Sequence, residues 1–276
     1  MATNKKLVII SGCSSGIGLE CAKYLQPHFE VIATARKSQD VAMLRSIGFE
    51  AYILDVSDFS AIDNFFQMLE IQNREIFALF NNAGFGQPGA VEDLPMQALK
   101  EQFETNFFGL VKMTQNAIKI MRKQNHGIII QHSSVLGLIS LRYRGAYTAS
   151  KYAIEGISDT LRLELNNTNI KIVTLSTGPI TSNFRQNAMK KFVQFIDTQA
   201  SYYNEVYNEK VHTRLEKKDD SFFTKPPSLV ASYVYKILTS KNPKPRYKIT
   251  FATKLLAFLK RILKTKTLDK LLIKVE

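Results

Sequence analysis

Tryptophan is absent from this 276-residue sequence, and cysteine occurs only twice. Cys13 and Cys21 are too few for a disulfide framework and are typical of a reducing compartment. The first apolar run, residues 7–10, is too short for a signal peptide, and the longest apolar run near the C-terminus, residues 255–259, is far below the ~20 residues of a membrane span. These absences predict a cytoplasmic protein that does not cross a bilayer.

Acidic residues are scarce at one end of the chain. Residues 241–276 hold eleven Lys and Arg against two acidic residues, a net charge of +9 out of a total of +13. The other 240 residues are therefore close to neutral, which argues against nucleic acid as a partner and for a localised surface function such as contact with anionic lipid.

Apolar runs rich in β-branched residues alternate with segments of helical periodicity. The predicted strands are residues 7–11, 31–35, 51–54, 76–81, 127–133 and 170–176, and the predicted helices are residues 17–25, 39–47, 59–72, 97–123 and 146–166. The strands lack the alternation of a half-exposed sheet, so both of their faces are buried. The pattern predicts one α/β domain, residues 1–240, with a doubly wound parallel Rossmann sheet.

Two C-terminal segments depart from this alternation. Residues 184–225 mix aromatic with polar residues and are interpreted as an insertion that forms a lid over the substrate. The alternative is an ordinary core helix or a subunit contact, because aromatic side chains often simply pack. After a proline-bearing hinge at 241–245, residues 241–276 form a basic tail.

A glycine-rich turn joins the first strand to the first helix, with the spacing Gly-x-x-x-Gly-x-Gly over residues 12–18. Backbone amides at a helix N-terminus bind pyrophosphate, and glycine lets the phosphates approach closely. At the end of the second strand an NAD enzyme needs an acidic residue, but here Arg36 follows and can bind a 2′-phosphate, which favours NADP(H). Asp55, after the third strand, either contacts the adenine or helps to start the next helix.

A second group of polar residues follows the later strands. Tyr147 and Lys151 are four apart on a predicted helix and share one face. Ser134 lies thirteen residues before Tyr147 at the carboxyl end of the fifth strand, where α/β proteins bind ligands. The histidines and cysteines have no metal-ligand spacing, so no metal site is predicted.

This ordered set resembles the short-chain dehydrogenase/reductase family, in its one-domain branch that includes NADP-dependent aldehyde reductases and hydroxysteroid and retinol dehydrogenases. The resemblance implies an active site made of Asn106, Ser134, Tyr147 and Lys151. It also implies a cofactor site that shares Tyr147 and Lys151 and adds Gly12, Ser14, Ser15, Gly16, Ile17, Gly18, Asp55, Val56, Asn82, Ala83 and Gly84. After the sixth strand the family's Pro-Gly is replaced by a loop that retains Gly178, Pro179, Ile180 and Ser182. We expect altered rigidity of this loop and retained nicotinamide binding.

The resemblance implies an NADP(H)-dependent oxidoreductase that interconverts an apolar aldehyde or ketone and its alcohol, commonly as a homodimer or homotetramer. Tyr147 would hold the transferred proton, Lys151 would favour the phenolate and bind the nicotinamide ribose, Ser134 would hold the substrate oxygen, and Asn106 would complete a proton path through water. The alternative is a non-catalytic NADP-binding module at a membrane or a partner surface.

The basic tail contains an amphipathic pattern. At helical spacing, apolar residues between Phe251 and Leu263 share one arc, and Lys254, Lys260, Arg261 and Lys264 are expected opposite. Such a helix is typical of contact with an anionic membrane through residues 251–264. The same pattern is equally typical of a helix that packs on its own domain or on a second subunit.

Overall fold

The computed structural model describes residues 5–213 and 223–274. A seven-stranded parallel sheet in the order β3-β2-β1-β4-β5-β6-β7 forms the centre of the domain. Its strands are β1 (Leu7–Ile10), β2 (Glu30–Ala35), β3 (Glu50–Ile53), β4 (Ile76–Asn81), β5 (Gly127–Ser134), β6 (Ile170–Thr177) and β7 (Arg246–Lys248). The strand order reverses direction between β1 and β4, which opens a crevice at the carboxyl ends of the strands.

Helices cover both faces of this sheet, as the apolar strands require. They are α1 (Gly16–Leu25), α2 (Ser38–Ser46), α3 (Phe59–Ile71), α4 (Met96–Phe103), α5 (Gly109–Gln124), α6 (Gly145–Glu164), α7 (Phe184–Phe195), α8 (Pro227–Thr239), α9 (Phe251–Ile262) and α10 (Thr265–Leu272). One core cluster joins the sheet to α1, α2 and α8, and a second joins it to α3 and α5. The predicted doubly wound Rossmann sheet is confirmed.

A seventh strand forms within the segment that the sequence assigns to the hinge and tail. β7 pairs in parallel with β6, from Thr174 opposite Arg246 to Ser176 opposite Lys248. Three residues are too few for an apolar pattern to stand out, so periodicity missed this strand. Arg246 also forms ion pairs with Glu155 and Asp159 of α6. The start of the predicted tail is therefore part of the sheet.

Two helical regions also differ from the prediction. The helix predicted at residues 97–123 is divided, because a π-helical turn at Glu104–Phe108 separates α4 from α5. Helix α8 was not predicted, although Pro227 occupies its first turn, a position that proline favours.

The predicted lid contains α7, a helical turn at Asn204–Val206 and a π-helical turn at Tyr207–Val211. Phe222 of the lid and Glu276 of the tail lie outside the described residues. The tail forms α9 and α10, two short helices joined at Leu263 and Lys264. Among the described residues, no helix combines the length and the apolar character of a membrane span.

Candidate active site

The glycine loop connects β1 to the N-terminus of α1. Ser15 occupies the N-cap position without a side-chain cap bond, and the first turn of α1 holds no acidic residue. Gly12 and Gly16 have φ values of +73° and +57°, in the left-handed region that favours glycine. Because the first amides of a helix lack intrahelical acceptors, this N-terminus is suited to an anion such as a pyrophosphate. Gly12, Ser14, Ser15, Gly16, Ile17 and Gly18, which the resemblance assigns to the cofactor, all lie in this turn or in the first turn of α1.

The segment after β4 is fastened to this loop. Ser11 Oγ accepts the backbone N–H groups of Asn82 and Ala83, each at 3.0 Å. Asn82 Nδ2 donates to the carbonyls of Ser11 and Gly12 at 2.9 and 3.1 Å. A Cβ at Gly12 would lie 2.8 Å from Ala83 Cα, and one at Gly18 would overlap the Gly12 carbonyl oxygen. These glycines therefore permit close contact between two loops of the predicted cofactor site.

Arg36 follows directly after β2, with 67% of its side chain exposed. Its Nε lies 3.9 Å from Asp55 Oδ2, a weak surface contact that leaves the guanidinium accessible. Asp55 Oδ1 accepts the backbone N–H of Ser57 at 3.0 Å, and the cap of α3 is Asp58. Asp55 thus does not cap α3, and Val56 beside it is buried.

Tyr147, Ser134 and Lys151 meet at the carboxyl edge of the sheet. The Tyr147 hydroxyl lies beside Ser134, the last residue of β5, close enough for this serine to lower the Tyr147 pKa. Lys151 lies one turn along α6, its Nζ 5.6 Å from the centre of the Tyr147 ring, and donates to the backbone carbonyl of His132 at 2.6 Å. Ser134, the serine that the thirteen-residue spacing selects, therefore lies beside Tyr147.

Burial determines the protonation states of this pair. It raises the pKa of Tyr147 to about 12, against the opposing effect of the Ser134 side chain. It lowers the pKa of Lys151 to about 8, against the opposing effect of the Glu155 carboxylate. At neutral pH the site therefore places a neutral phenol, which can donate a proton, beside an ammonium group that is largely charged.

Asn106 lies in the π-helical turn between α4 and α5 and connects the loop after β4 to α6. Its Oδ1 accepts the Phe85 N–H at 3.0 Å, and its Nδ2 donates to the Phe85 carbonyl at 2.9 Å and to Ser150 Oγ at 3.3 Å. Ser150 Oγ in turn donates to the Tyr147 carbonyl at 2.8 Å. A Cβ at Gly84 would lie 3.0 Å from Asn106 Oδ1. The Asn106 side chain thus anchors this loop, a structural role in addition to the predicted proton path.

The loop after β6 closes the site opposite the glycine loop. Ser182 Cβ would lie 3.1 Å from a Cβ at Gly16, so the two loops face each other. Pro179, Ile180 and their neighbours are held by Lys225, whose N–H donates to the Pro179 carbonyl at 3.1 Å. A Cβ at Gly178 would overlap Thr250 Oγ1. This contact connects the loop to the N-cap of α9.

A comparison with protein families identifies the family of this chain. A family model described as short chain dehydrogenase matches residues 6–192, more than half of the chain. The chain belongs to the short-chain dehydrogenase/reductase family. This match ends near the end of α7, so the remainder of the predicted lid and the tail lie beyond the part that the family model describes.

Relatives extend the similarity of this short-chain dehydrogenase/reductase over nearly the whole chain. The uncharacterized oxidoreductase YbbO of Escherichia coli strain K12 is 36% identical, over 97% of this chain and 94% of its own. Human retinol dehydrogenase 8 is 34% identical, over 75% and 71%. The NADPH-dependent 3-dehydrocapnine reductase of Ornithobacterium rhinotracheale is 28% identical, over 88% and 87%.

Solved structures share the fold. A short-chain dehydrogenase from Streptomyces avermitilis is 26% identical with a TM-score of 0.78, covering 98% of this chain and 94% of its own. A serine dehydrogenase complexed with NADP+ has a TM-score of 0.74 at 23% identity, covering 90% and 95%. A Burkholderia phymatum family member in complex with NAD has a TM-score of 0.77 at 20% identity, covering 98% and 96%. Structural neighbours of this short-chain dehydrogenase/reductase therefore bind either nucleotide.

Sequence reasoning missed the role of His132 in this short-chain dehydrogenase/reductase. Burial, and then the Lys151 charge, lowers its pKa to about 3, so its ring is neutral. Nδ1 lies 3.1 Å from Asn82 Oδ1, and Nε2 lies 3.2 Å from Thr177 Oγ1. Because Asn82 Oδ1 is an acceptor, Nδ1 carries the ring hydrogen and Nε2 accepts from Thr177. His132 thus connects the ends of β4, β5 and β6. The one feature of the sequence that could have indicated this role is a polar residue within an otherwise apolar strand.

The aromatic residues of the predicted lid have two different environments. Phe184 packs edge-on against Tyr147, with ring centres 5.4 Å apart, and a Cβ at Gly86 would lie 2.8 Å from the Phe184 ring. Phe192 and Tyr207 are instead buried in a third core cluster, and the Tyr207 hydroxyl donates to Asp93. The described aromatic residues thus form mainly a small core, and Phe184 is the one that contacts Tyr147.

Proposed function

We propose that this short-chain dehydrogenase/reductase is an NADP(H)-dependent carbonyl reductase or alcohol dehydrogenase that acts on apolar substrates. The observation that carries the proposal is the meeting of three side chains: Tyr147 lies beside Ser134, and the Lys151 Nζ lies 5.6 Å from the centre of the Tyr147 ring. This group lies at the carboxyl edge of the sheet, beside the loop that has the donors for a pyrophosphate.

Reduction of a carbonyl group delivers hydride to carbon and a proton to oxygen. The reduced nicotinamide supplies the hydride when the cofactor is bound. Tyr147 holds the proton, because its raised pKa keeps the phenol neutral at pH 7. The phenol donates this proton to the substrate oxygen, and the oxidation of an alcohol uses the same groups in reverse.

Ser134 positions the oxygen that accepts the proton. Its Oγ accepts the Leu136 N–H at 3.1 Å, which leaves its hydroxyl hydrogen available to a substrate oxygen. A carbonyl oxygen placed between the two hydroxyl groups would accept from both. Ser134 then donates to the oxygen on which negative charge develops during hydride transfer.

Lys151 makes the transfer favourable. Its ammonium group lies close to the Tyr147 ring and stabilises the phenolate that remains when the proton has left. The same group would bind the nicotinamide ribose, and Ser182 would contact the nicotinamide from the loop after β6. Asp55 and Val56 would contact the adenine, and Asn82, Ala83 and Gly84 would lie beside its ribose.

The choice of NADP(H) rests on Arg36. No acidic residue ends β2, and the exposed Arg36 guanidinium can form a charge-assisted contact with a 2′-phosphate. The relative named as an NADPH-dependent reductase supports this choice.

An apolar substrate is supported by two observations. Phe184 packs beside Tyr147 and adds an apolar wall next to the reacting hydroxyl. The similarity to a retinol dehydrogenase fits a long, ring-bearing substrate. We therefore expect long or aromatic carbonyl compounds to be better substrates than short polar ones.

The test is nicotinamide oxidation by the purified protein with a panel of aldehydes and ketones that differ in length and polarity. The proposal expects turnover with NADPH that increases along the apolar series. Nucleotide binding without turnover on any member would instead support the non-catalytic NADP-binding alternative. A preference for short polar carbonyls would overturn the apolar substrate class.

A further inference from the structure

Helix α9 exposes one apolar face. Four large side chains lie on it, Phe251, Leu255, Phe258 and Ile262, and they are exposed at 66%, 41%, 58% and 56%. At 3.6 residues per turn, the four fall within an arc of about 60°. We call these four residues the tail stripe. A row of large apolar side chains at this exposure is unusual for a surface helix and points to a partner.

The opposite face of α9 is fixed to the domain. Thr253 is fully buried, and its Oγ1 would lie 3.1 Å from a Cβ at Gly178, the residue after β6. Lys260 donates to the Tyr152 hydroxyl of α6. Leu256 is half-buried, so the apolar arc predicted from the sequence divides between the two faces. Because α9 is held by its inner face, the tail stripe points away from the sheet.

Basic residues border the tail stripe. Lys254 and Arg261 lie within about 100° of its centre at helical spacing, so they flank the stripe. The prediction that these two residues lie on the opposite face is therefore wrong. Helix α10 adds two exposed basic side chains, Lys266 and Lys270, and one exposed apolar side chain, Leu271. The surface thus combines insertable apolar side chains with positive charge, which is the chemistry of an interfacial helix on anionic lipid.

The positive charge of the tail favours an anionic membrane, and not a second copy of the chain, as the partner of the tail stripe. A symmetric dimer through the tail stripe would bring two tails, each with a net charge of +9 over residues 241–276, into contact. Like charges oppose that arrangement, whereas an anionic bilayer neutralises the flanking lysines and accepts the apolar side chains.

The tail also lies beside the site. Thr250, which caps α9, contacts Gly178 at the end of β6. At the other end of the tail, the carbonyl of Ile273 accepts a hydrogen bond from Arg142 at 3.3 Å. Arg142 is five residues before Tyr147 in the sequence. We propose that the tail stripe inserts into the interface of an anionic membrane and so places the carboxyl edge of the sheet near the bilayer. That this edge receives an apolar substrate from the lipid rests on the function proposed above.

Vesicle sedimentation tests the contact with the full chain. Vesicles of equal parts phosphatidylcholine and phosphatidylglycerol should bind the protein at least ~10-fold more strongly than phosphatidylcholine alone. The double variant Phe251→Ser, Phe258→Ser should lose at least ~10-fold of this binding, because two apolar side chains no longer insert. The matched control is Ile71→Ser, Leu163→Ser, whose side chains are exposed at 74% and 75% at the ends of α3 and α6.

The charge arm uses Lys254→Glu, Arg261→Glu, which should weaken binding to the anionic vesicles by at least ~10-fold and reduce its salt dependence. All variants should keep their melting temperature and their turnover of a water-soluble aldehyde, so a failure here is distinct from a failure of the proposed activity.

Three results would overturn the proposal. The first is a wild-type chain that binds neither the vesicles with phosphatidylglycerol nor those of phosphatidylcholine alone. The second is equal loss of binding in the Ile71, Leu163 control. The third is a dimer in size-exclusion chromatography that the Phe251, Phe258 variant dissociates, which would assign the tail stripe to a second copy.

Discussion

The proposed nucleotide side and the proposed substrate side of the site are built from different kinds of contact. On the nucleotide side, a Cβ at Gly12 or Gly18 would meet backbone atoms of Ala83 or Gly12. On the substrate side, a Cβ at Gly86 would meet the end of the Phe184 ring. Backbone atoms cannot move without disturbing the sheet, whereas a half-exposed ring can rotate. The cofactor loop therefore tolerates little change, and the substrate side can be remodelled.

Tyr147→Phe should have the largest effect, and only on the substrate side. The variant keeps the ring against Phe184 but removes the proton donor, so turnover should fall by at least ~10², the scale of a lost general acid. NADPH affinity, measured by fluorescence titration, should stay nearly unchanged. Wild-type turnover in this variant would remove Tyr147 from the mechanism.

Arg36→Asp is the corresponding change on the nucleotide side. It removes the contact with the 2′-phosphate and adds repulsion, so the ratio of kcat/KM with NADPH to that with NADH should fall by ~10². Preference among carbonyl substrates should not change. Lys37→Asp, at the next position, alters the same charge and is the control. Equal use of NADH and NADPH by the wild type would contradict the role of Arg36.

A pair of glycine substitutions compares the two sides directly. Gly18→Ala should lower the free energy of unfolding by about 3 kcal/mol, because its Cβ overlaps backbone. Gly86→Ala should change it by less than about 1 kcal/mol, because Phe184 can rotate away, while the ranking of substrates changes. Urea unfolding and the carbonyl panel measure the two effects. If both variants lowered the free energy of unfolding by the same amount, the two sides of the site would not differ in their tolerance of substitution.

Glu155→Gln should have the smallest effect, a shift in pH dependence. Reduction should slow as the pH rises through about 8, where the Lys151 ammonium loses its proton. The Glu155 carboxylate favours that ammonium, so its removal should move the decline to lower pH.

Asp159→Asn is the control for this shift. Asp159 also pairs with Arg246 but is not among the groups that alter the Lys151 pKa. Profiles of kcat/KM against pH should therefore agree for this control and the wild type. A Glu155→Gln profile that does not move would show that another group causes the decline.

The positions of the residues assigned to the nucleotide were predictable because these residues are close in sequence to the strands that carry them. Gly12 to Gly18 follow β1 directly, and Asn82 to Gly84 follow β4, so the position of a motif after a strand also gives its place at the carboxyl edge. Tyr147 and Lys151 were predictable for a similar reason, since a spacing of four on a helix places both side chains on one face.

The sequence by itself determined the doubly wound sheet and the residues at its carboxyl edge, because strands buried on both faces leave apolar runs that polar motifs interrupt. Only the tertiary structure decided the pairing of β7 with β6, the packing of Phe184 on Tyr147, and the hydrogen bonds of His132 to Asn82 and Thr177. Each of these contacts joins residues far apart in the chain, and no local periodicity or spacing records which distant segments the folded sheet brings together.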